Sequence, residues 1–326
     1  MPIIINPESR DHWLQMKAED VSSTESSALF GISKYSTEFE LWHQKKSGEV
    51  IEFQDNERMF IGREIENKIA DMISIQMNMK VRRLKTYYRH DDEKRMSSSF
   101  DYEIVGDYSK SELMKMNPHL KGAGLLEIKN VDGFIYREDW IDDEAPPHIE
   151  AQVQHQMEVA NRNWTLIVAL VGGNKLVTIL RERDRNVGKA IRNRITRFFM
   201  SIDNDIEPMP NFERDAAFIN GMYTSIDDKG EPMDITAEEN ILAMVITYKE
   251  LNARKLGLEK ALDSIRAEVL HSVGNVPRLT TSDGLTVNMT MTKGTLPTTV
   301  TEEMVGTEIG GRAAYRQFRI TKRKVK

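Results

Sequence analysis

Arg95–Asp107, RMSSSFDYEIVGD, and Ala123–Val131, AGLLEIKNV, carry the two segments that decide the fold of this chain. Both read as strands. In Leu126-Glu127-Ile128-Lys129 the side chains alternate, so Glu127 and Lys129 share one face while Leu126 and Ile128 share the other. Asp101 follows Ser99-Phe100 on the neighbouring segment. A lone Glu-x-Lys triplet is commonly a solvated face that makes a cross-strand ion pair. A second carboxylate arriving from an adjacent strand changes the chemistry. Carboxylate oxygens hold a hard divalent cation such as Mg²⁺. Such a cation polarises a phosphate and lowers the pKa of a bound water, and an adjacent ammonium offsets charge that develops in the transition state.

Working outward, residues 80–90 (KVRRLKTYYRH), 95–105 and 123–131 predict three strands, with Lys110–Lys121 as a surface interruption. Residues 131–147 read as irregular up to Ala145-Pro146-Pro147. These lead into a helix over 148–161 with Ile149, Val153 and Met157 at core spacing and Gln152 beside them. Trp164–Val171 and Leu176–Arg181 form a strand pair around Gly172-Gly173-Asn174, and 184–203 is a basic helix. Upstream, residues 7–20 predict a helix with Trp13 and Leu14 inward. Thr24–Ser27 caps a short helix that ends at Gly31, and Thr37–Lys46 is a helix that buries Phe39, Leu41 and Trp42. Small hydroxylated residues beside a helix N-terminus make a ready anion site. Residues 57–78 are amphipathic, with Met59, Ile65, Ile69, Met72 and Ile73 as the stripe and Glu66 at its edge. The fold class is α/β: a mixed sheet flanked by helices, with Asp101 and Glu127 on adjacent strands.

Residues 211–235 read as a linker between a domain over 1–210 and an extension over 236–326. The extension opens on Thr236-Ala237-Glu238-Glu239, a capping box. Met244, Tyr248, Leu251, Lys255, Leu258, Leu262, Ile265 and Val269 then recur at alternating spacings of four and three, a heptad seam. A hairpin around Ser282-Asp283-Gly284 and the basic run YRQFRITKRKVK follow.

Composition narrows the function classes. The chain has 326 residues, 40% of them hydrophobic, and a formal net charge of −6. There is no cysteine, which removes disulfides, thiolate zinc sites and iron–sulfur clusters. The segment MPIIINPESRDHW lacks the pattern of a signal peptide, and no apolar run is long enough to span a bilayer. The expectation is a soluble, cytoplasmic protein without a membrane partner. The acidic balance counts mildly against a nucleic-acid partner, although a basic channel coexists with an acidic exterior in many proteins. No G-x-S-x-G elbow and no H-E-x-x-H pair is present, which argues against serine-hydrolase and zinc-protease chemistry.

Five stretches taken in order, ESSALFGISKYSTEFELWHQKKSGE, FIGREIENKIA, SSSFDYEI, LLEIK and IEAQVQHQMEVA, resemble the YqaJ-type phage recombination exonucleases. These are the lambda exonuclease-like branch of the PD-(D/E)xK nuclease superfamily, and the resemblance covers roughly residues 10–205. Phe100 stands where the family has a proline, while the chemical group, Asp101, is kept. The resemblance implies a PD-(D/E)xK core whose Asp101, Glu127 and Ile128 backbone carbonyl ligate Mg²⁺, with Mn²⁺ as a substitute. It implies that Glu66, in G-x-x-x-E from Gly62, contributes to the metal site, and that Lys129 and Gln152 lie by the attacking water. Ser99 would face the same pocket. Lys17 and Thr24 would take the positions that grip a 5′-terminal phosphate, although lysine lacks the bidentate fork of arginine. It also implies digestion of duplex DNA ends from 5′ to 3′, a homo-oligomer (a trimer in the best-known relative) and a single-strand annealing protein as partner. Two rival readings stand beside it: an endonuclease on the same core, and a non-enzymatic DNA-binding or assembly factor.

Overall fold

The computed structural model describes residues 1–50, 56–106, 108, 110–225, 230–282 and 285–289. The basic run at the C-terminal end of the sequence lies outside them. The residues divide into two compact units, Met1–Ile219 and Asn220–Lys326.

The first unit begins with β1 (Ile3–Ile5), α1 (Arg10–Glu19) and β2 (Val21–Ser22). The Ser9 side chain caps α1, and Met16 is its buried residue. Trp13 and Leu14, expected inward, are only half-buried. A 3₁₀ turn over Ser26–Phe30 ends on Gly31 in the left-handed region. The Glu25 side chain does not cap it, and accepts instead from the Ser22 amide and hydroxyl. α2 (Glu38–Ser47) is capped by Thr37, stopped by left-handed Gly48, and buries Phe39, Leu41 and Trp42 as its sequence requires. α3 (Glu57–Met77) follows. It buries Ile69, Ala70 and Ile73, whereas Met59 and Met72 of the expected stripe are exposed.

Two of the three expected strands break in the middle. Residues 80–90 divide into β3 (Lys80–Arg83) and β4 (Tyr87–Arg89), and residues 95–105 into β5 (Met96–Ser98) and β6 (Tyr102–Val105). Each first half joins a different sheet from its second half. β1, β4, β5 and β2 make a four-stranded sheet in that order, while β3 and β6 lead into the five-stranded sheet. Asp101 therefore lies in the bend between two sheets rather than in the interior of a strand.

The surface interruption contains α4 (Glu112–Met116) and is more buried than expected, since Met114 and Leu120 join the core. β7 (Gly124–Val131) comes next, then α5 (Gly133–Asp139) in the stretch expected to be irregular. Tyr136 and Trp140 pack inward there. α6 (Pro147–Ala160), β8 (Trp164–Val171), β9 (Lys175–Glu182) and α7 (Arg185–Asp203) match the expected order. Pro147 occupies the first helical turn of α6, where its missing N–H costs nothing. The five-stranded order is β3-β6-β7-β8-β9, with β7 and β8 parallel and the other neighbours antiparallel. Leu126, Ile128, Leu166 and Val168 face α3 in one core cluster. Ile167, Ala169 and Val171 pack with Ile149 and Val153 of α6 in another. This is a mixed α/β sheet with helices on both faces.

The stretch expected to be a linker starts as packed structure. Asp215 is buried, accepts from the Thr37 hydroxyl, and precedes α8 (Ala216–Met222). The second unit holds α9 (Glu239–Val273), then β10 (Arg278–Thr280) paired antiparallel with β11 (Thr286–Asn288). The capping box does not form. Thr236 bonds Asp234 instead, and Glu238 at the N-cap makes no side-chain cap.

Candidate active site

β7 carries the centre of the site. Its alternation sends Leu126 and Ile128 towards α3 and turns Glu127 and Lys129 towards α6. Glu127 is 3% exposed, and a carboxylate so buried needs donors. It has three. Oε1 accepts from Lys129 Nζ at 2.6 Å and from Gln152 Nε2 at 2.6 Å, while Oε2 accepts from Gln156 Nε2 at 2.7 Å. Gln152 Oε1 in turn accepts from Lys129 Nζ at 3.1 Å. Gln152 and Gln156 stand one helical turn apart on α6, so both reach the same carboxylate.

Asp101 comes to the site from the bend before β6. Its Oδ2 accepts from the Ile128 amide at 2.9 Å, which ties the bend to β7. Burial, then the charge of Glu127, raise the Asp101 carboxyl well above its ordinary range, with Lys129 opposing. Burial also raises Glu66; Arg83 opposes this and Glu127 adds to it. Burial acts to lower Lys129, but Glu127 and Asp101 outweigh it and hold the ammonium above the ordinary lysine value.

One cleft of about 550 Å³ is lined by every residue expected at the site: Lys17, Thr24, Glu66, Ser99, Asp101, Glu127, Ile128, Lys129 and Gln152. Ser99 Oγ accepts from Trp13 Nε1 at 3.0 Å, which accounts for the half-buried position of that indole. Thr24 lies beside Ser22, their hydroxyls 3.2 Å apart. The backbone carbonyl of Lys17 accepts from Lys45 Nζ, which also pairs with Glu25. Arg63 and Gln156 line the cleft as well and were not anticipated. Arg63 lies one residue past Gly62 on α3, and the G-x-x-x-E spacing drew attention to Glu66 alone. Gln156 lies in AQVQHQ, where the position of the first glutamine was the only guide.

The donor set fits a hard divalent cation. Carboxylates of Asp101, Glu127 and Glu66 line the cleft together with Lys129, Lys17 and Arg63, and these carboxylate oxygens are the ligand type such a cation takes. A second grouping of possible ligands, His90, Asp91 and Asp92, lies outside this cleft. It does not fit a metal as well, because His90 Nδ1 already accepts the amides of Asp92 and Glu93.

Residues 12–163 match the family described as the YqaJ-like viral recombinase domain. The YqaJ protein of Bacillus subtilis is 29% identical over 178 residues, which are 54% of this chain and 51% of that protein. The chain thus spans about half the length of the curated relative it matches. Among solved structures, the alkaline exonuclease of Laribacter hongkongensis superposes with a TM-score of 0.47 at 19% identity, covering 64% of this chain and 99% of that one. A phage-related exonuclease from Haemophilus somnus gives 0.38 at 14% identity, covering 57% and 95%. Among the described residues no helix is long and apolar enough to cross a membrane. Residues 12–163, somewhat under half of the chain, are thus similar to the YqaJ-like viral recombinase domain.

Proposed function

We propose that this chain is a Mg²⁺-dependent DNA exonuclease of phage-type recombination. It digests linear duplex DNA and leaves a 3′ single strand for an annealing protein. One observation carries the reading: a buried carboxylate, Glu127, held by Lys129 and two glutamines in the same cleft as Asp101 and Glu66. Asp101, Glu127 and the Ile128 carbonyl are the proposed ligands, and Glu66 contributes from α3. A divalent cation held there supplies Lewis-acid activation of the scissile phosphate and of water. Lys129 and Gln152 orient the attacking water, and the Lys129 ammonium offsets negative charge as the phosphorus becomes five-coordinate. Lys17, Thr24 and Ser99 line the part of the cleft proposed to take the 5′-terminal phosphate. The 5′-to-3′ direction, the homo-oligomer and the annealing partner follow the family resemblance.

The test uses a linear duplex labelled at one 5′ end, with and without its phosphate, in Mg²⁺ and in EDTA. The expected result is Mg²⁺-dependent release of label that Asp101→Ala or Glu127→Ala abolishes in a folded protein. Wild-type rates in either variant would overturn the assignment. A covalently closed circle should survive. Its cleavage would make the chain an endonuclease on the same core, and absence of any Mg²⁺-stimulated loss of DNA would favour a binding factor.

A further inference from the structure

Gln156 is 2% exposed and satisfied on one side only. Its Nε2 donates to Glu127 Oε2, but its Oε1 has no hydrogen-bond partner among the described residues. Gln152, one turn earlier, uses both ends of its amide. Exchanging the two ends of the Gln156 amide gives no better arrangement, because Oε1 would then face the carboxylate oxygen. The neighbouring carboxylate therefore fixes its orientation. An orphan acceptor in the interior destabilises the fold, and methionine or leucine at this position would fill the same space without it. Packing alone does not explain a glutamine here.

The place of the amide supplies a reason. Oε1 of Glu127 is already shared by Lys129 and Gln152, and Gln156 holds Oε2 and with it the plane of the carboxylate. Donors behind a ligating carboxylate set its direction and commonly govern metal affinity. We infer that Gln156 is a positioning residue. It acts through Glu127, holding that carboxylate in the orientation needed to ligate a divalent cation. The inference rests on the proposed metal-dependent site.

The test measures Mn²⁺ binding to the full chain by electron paramagnetic resonance, with no DNA present. Wild type should bind Mn²⁺ and Glu127→Gln should not. Gln156→Met keeps length and apolar packing but removes both amide groups. It should bind Mn²⁺ about tenfold more weakly, with a melting temperature in EDTA equal to wild type or higher. Gln156→Ala, which leaves space instead of a new contact, provides a second and independent case and should lose at least as much. Wild-type Mn²⁺ affinity in either folded variant would overturn the inference and leave the metal site standing. Failure of wild type itself to bind Mn²⁺ would remove both.

Discussion

Among the described residues Lys129 is the only ammonium bonded to Glu127, and Gln152 shares it. Lys129→Met should reduce cleavage of linear duplex by about 10²–10³-fold, the usual loss when one preorganised charge-stabilising donor is removed. Initial rates at saturating Mg²⁺ would measure it. His155, next to Gln156, makes a separate prediction. It is fully buried, its Nε2 donates to the Ser97 carbonyl at 2.9 Å, and burial pushes its pKa down to about 3. An unfolded histidine titrates near 6.5. Below that pH the unfolded chain takes up a proton that the folded protein refuses. The stability contributed is therefore complete above about pH 6.5 and is lost as pH falls towards about 3, by up to about 1.4 kcal/mol per pH unit. Denaturant titrations at pH 4.5 and 6.5 should show a smaller difference for His155→Gln than for wild type. At this scale the sequence was informative wherever alternation decides direction. Leu-Glu-Ile-Lys in a strand shows which side each residue takes. Gln156 was not legible in the same way, because α6 is buried on nearly every side and spacing cannot tell which polar groups there are satisfied.

At the scale of elements, the ends of two helices were written plainly. Thr37 and Gly48 bound α2, and Asp184 caps α7 through the amides of Asn186 and Val187, because capping chemistry is local. The breaks in the strands were not. Leu84–Thr86 and Ser99–Asp101 look as strand-like as their flanks, and only the choice of partner strands sends the two halves into different sheets. That transfer matters to the site, since it carries Asp101 out of the ladder and lets its side chain bond the Ile128 amide. A close approach inside the five-stranded sheet makes this level testable. A Cβ added at Gly124, the first residue of β7, would lie 2.5 Å from the Trp164 ring. The indole is fully buried and cannot give way easily. Gly124→Ala should therefore destabilise the protein by about 1–3 kcal/mol. Chemical denaturation would read the loss, and an unchanged midpoint would show that the β7–β8 packing accommodates a methyl group.

The whole molecule combines a unit that buries its chemistry with one that leaves an apolar seam open. Along α9, Leu251, Leu258, Leu262 and Ile265 are each more than half exposed, at 56%, 66%, 62% and 57%. In heptad terms Leu258 and Leu262 are successive core positions, and Lys255 is the one charged residue in the seam. A single lysine at such a position selects register and oligomer state at some loss of stability. Flanking charges give a second copy of the helix ionic partners, since Arg254 meets Glu259 in a parallel copy in register and Glu268 in an antiparallel one. The proposed homo-oligomer would use this seam. Burying a leucine contributes roughly 1.5–3 kcal/mol, so Leu258→Asp combined with Leu262→Asp should weaken association by at least about 100-fold. Sedimentation at micromolar concentration should show wild type as an oligomer and the double variant as single chains. Mn²⁺ binding should be unchanged in the variant, because the proposed ligands Asp101, Glu127 and Glu66 all belong to the first unit. A double variant that still sediments as wild type would assign assembly to another surface, and a loss of Mn²⁺ binding along with assembly would mean that the cleft depends on contact between copies.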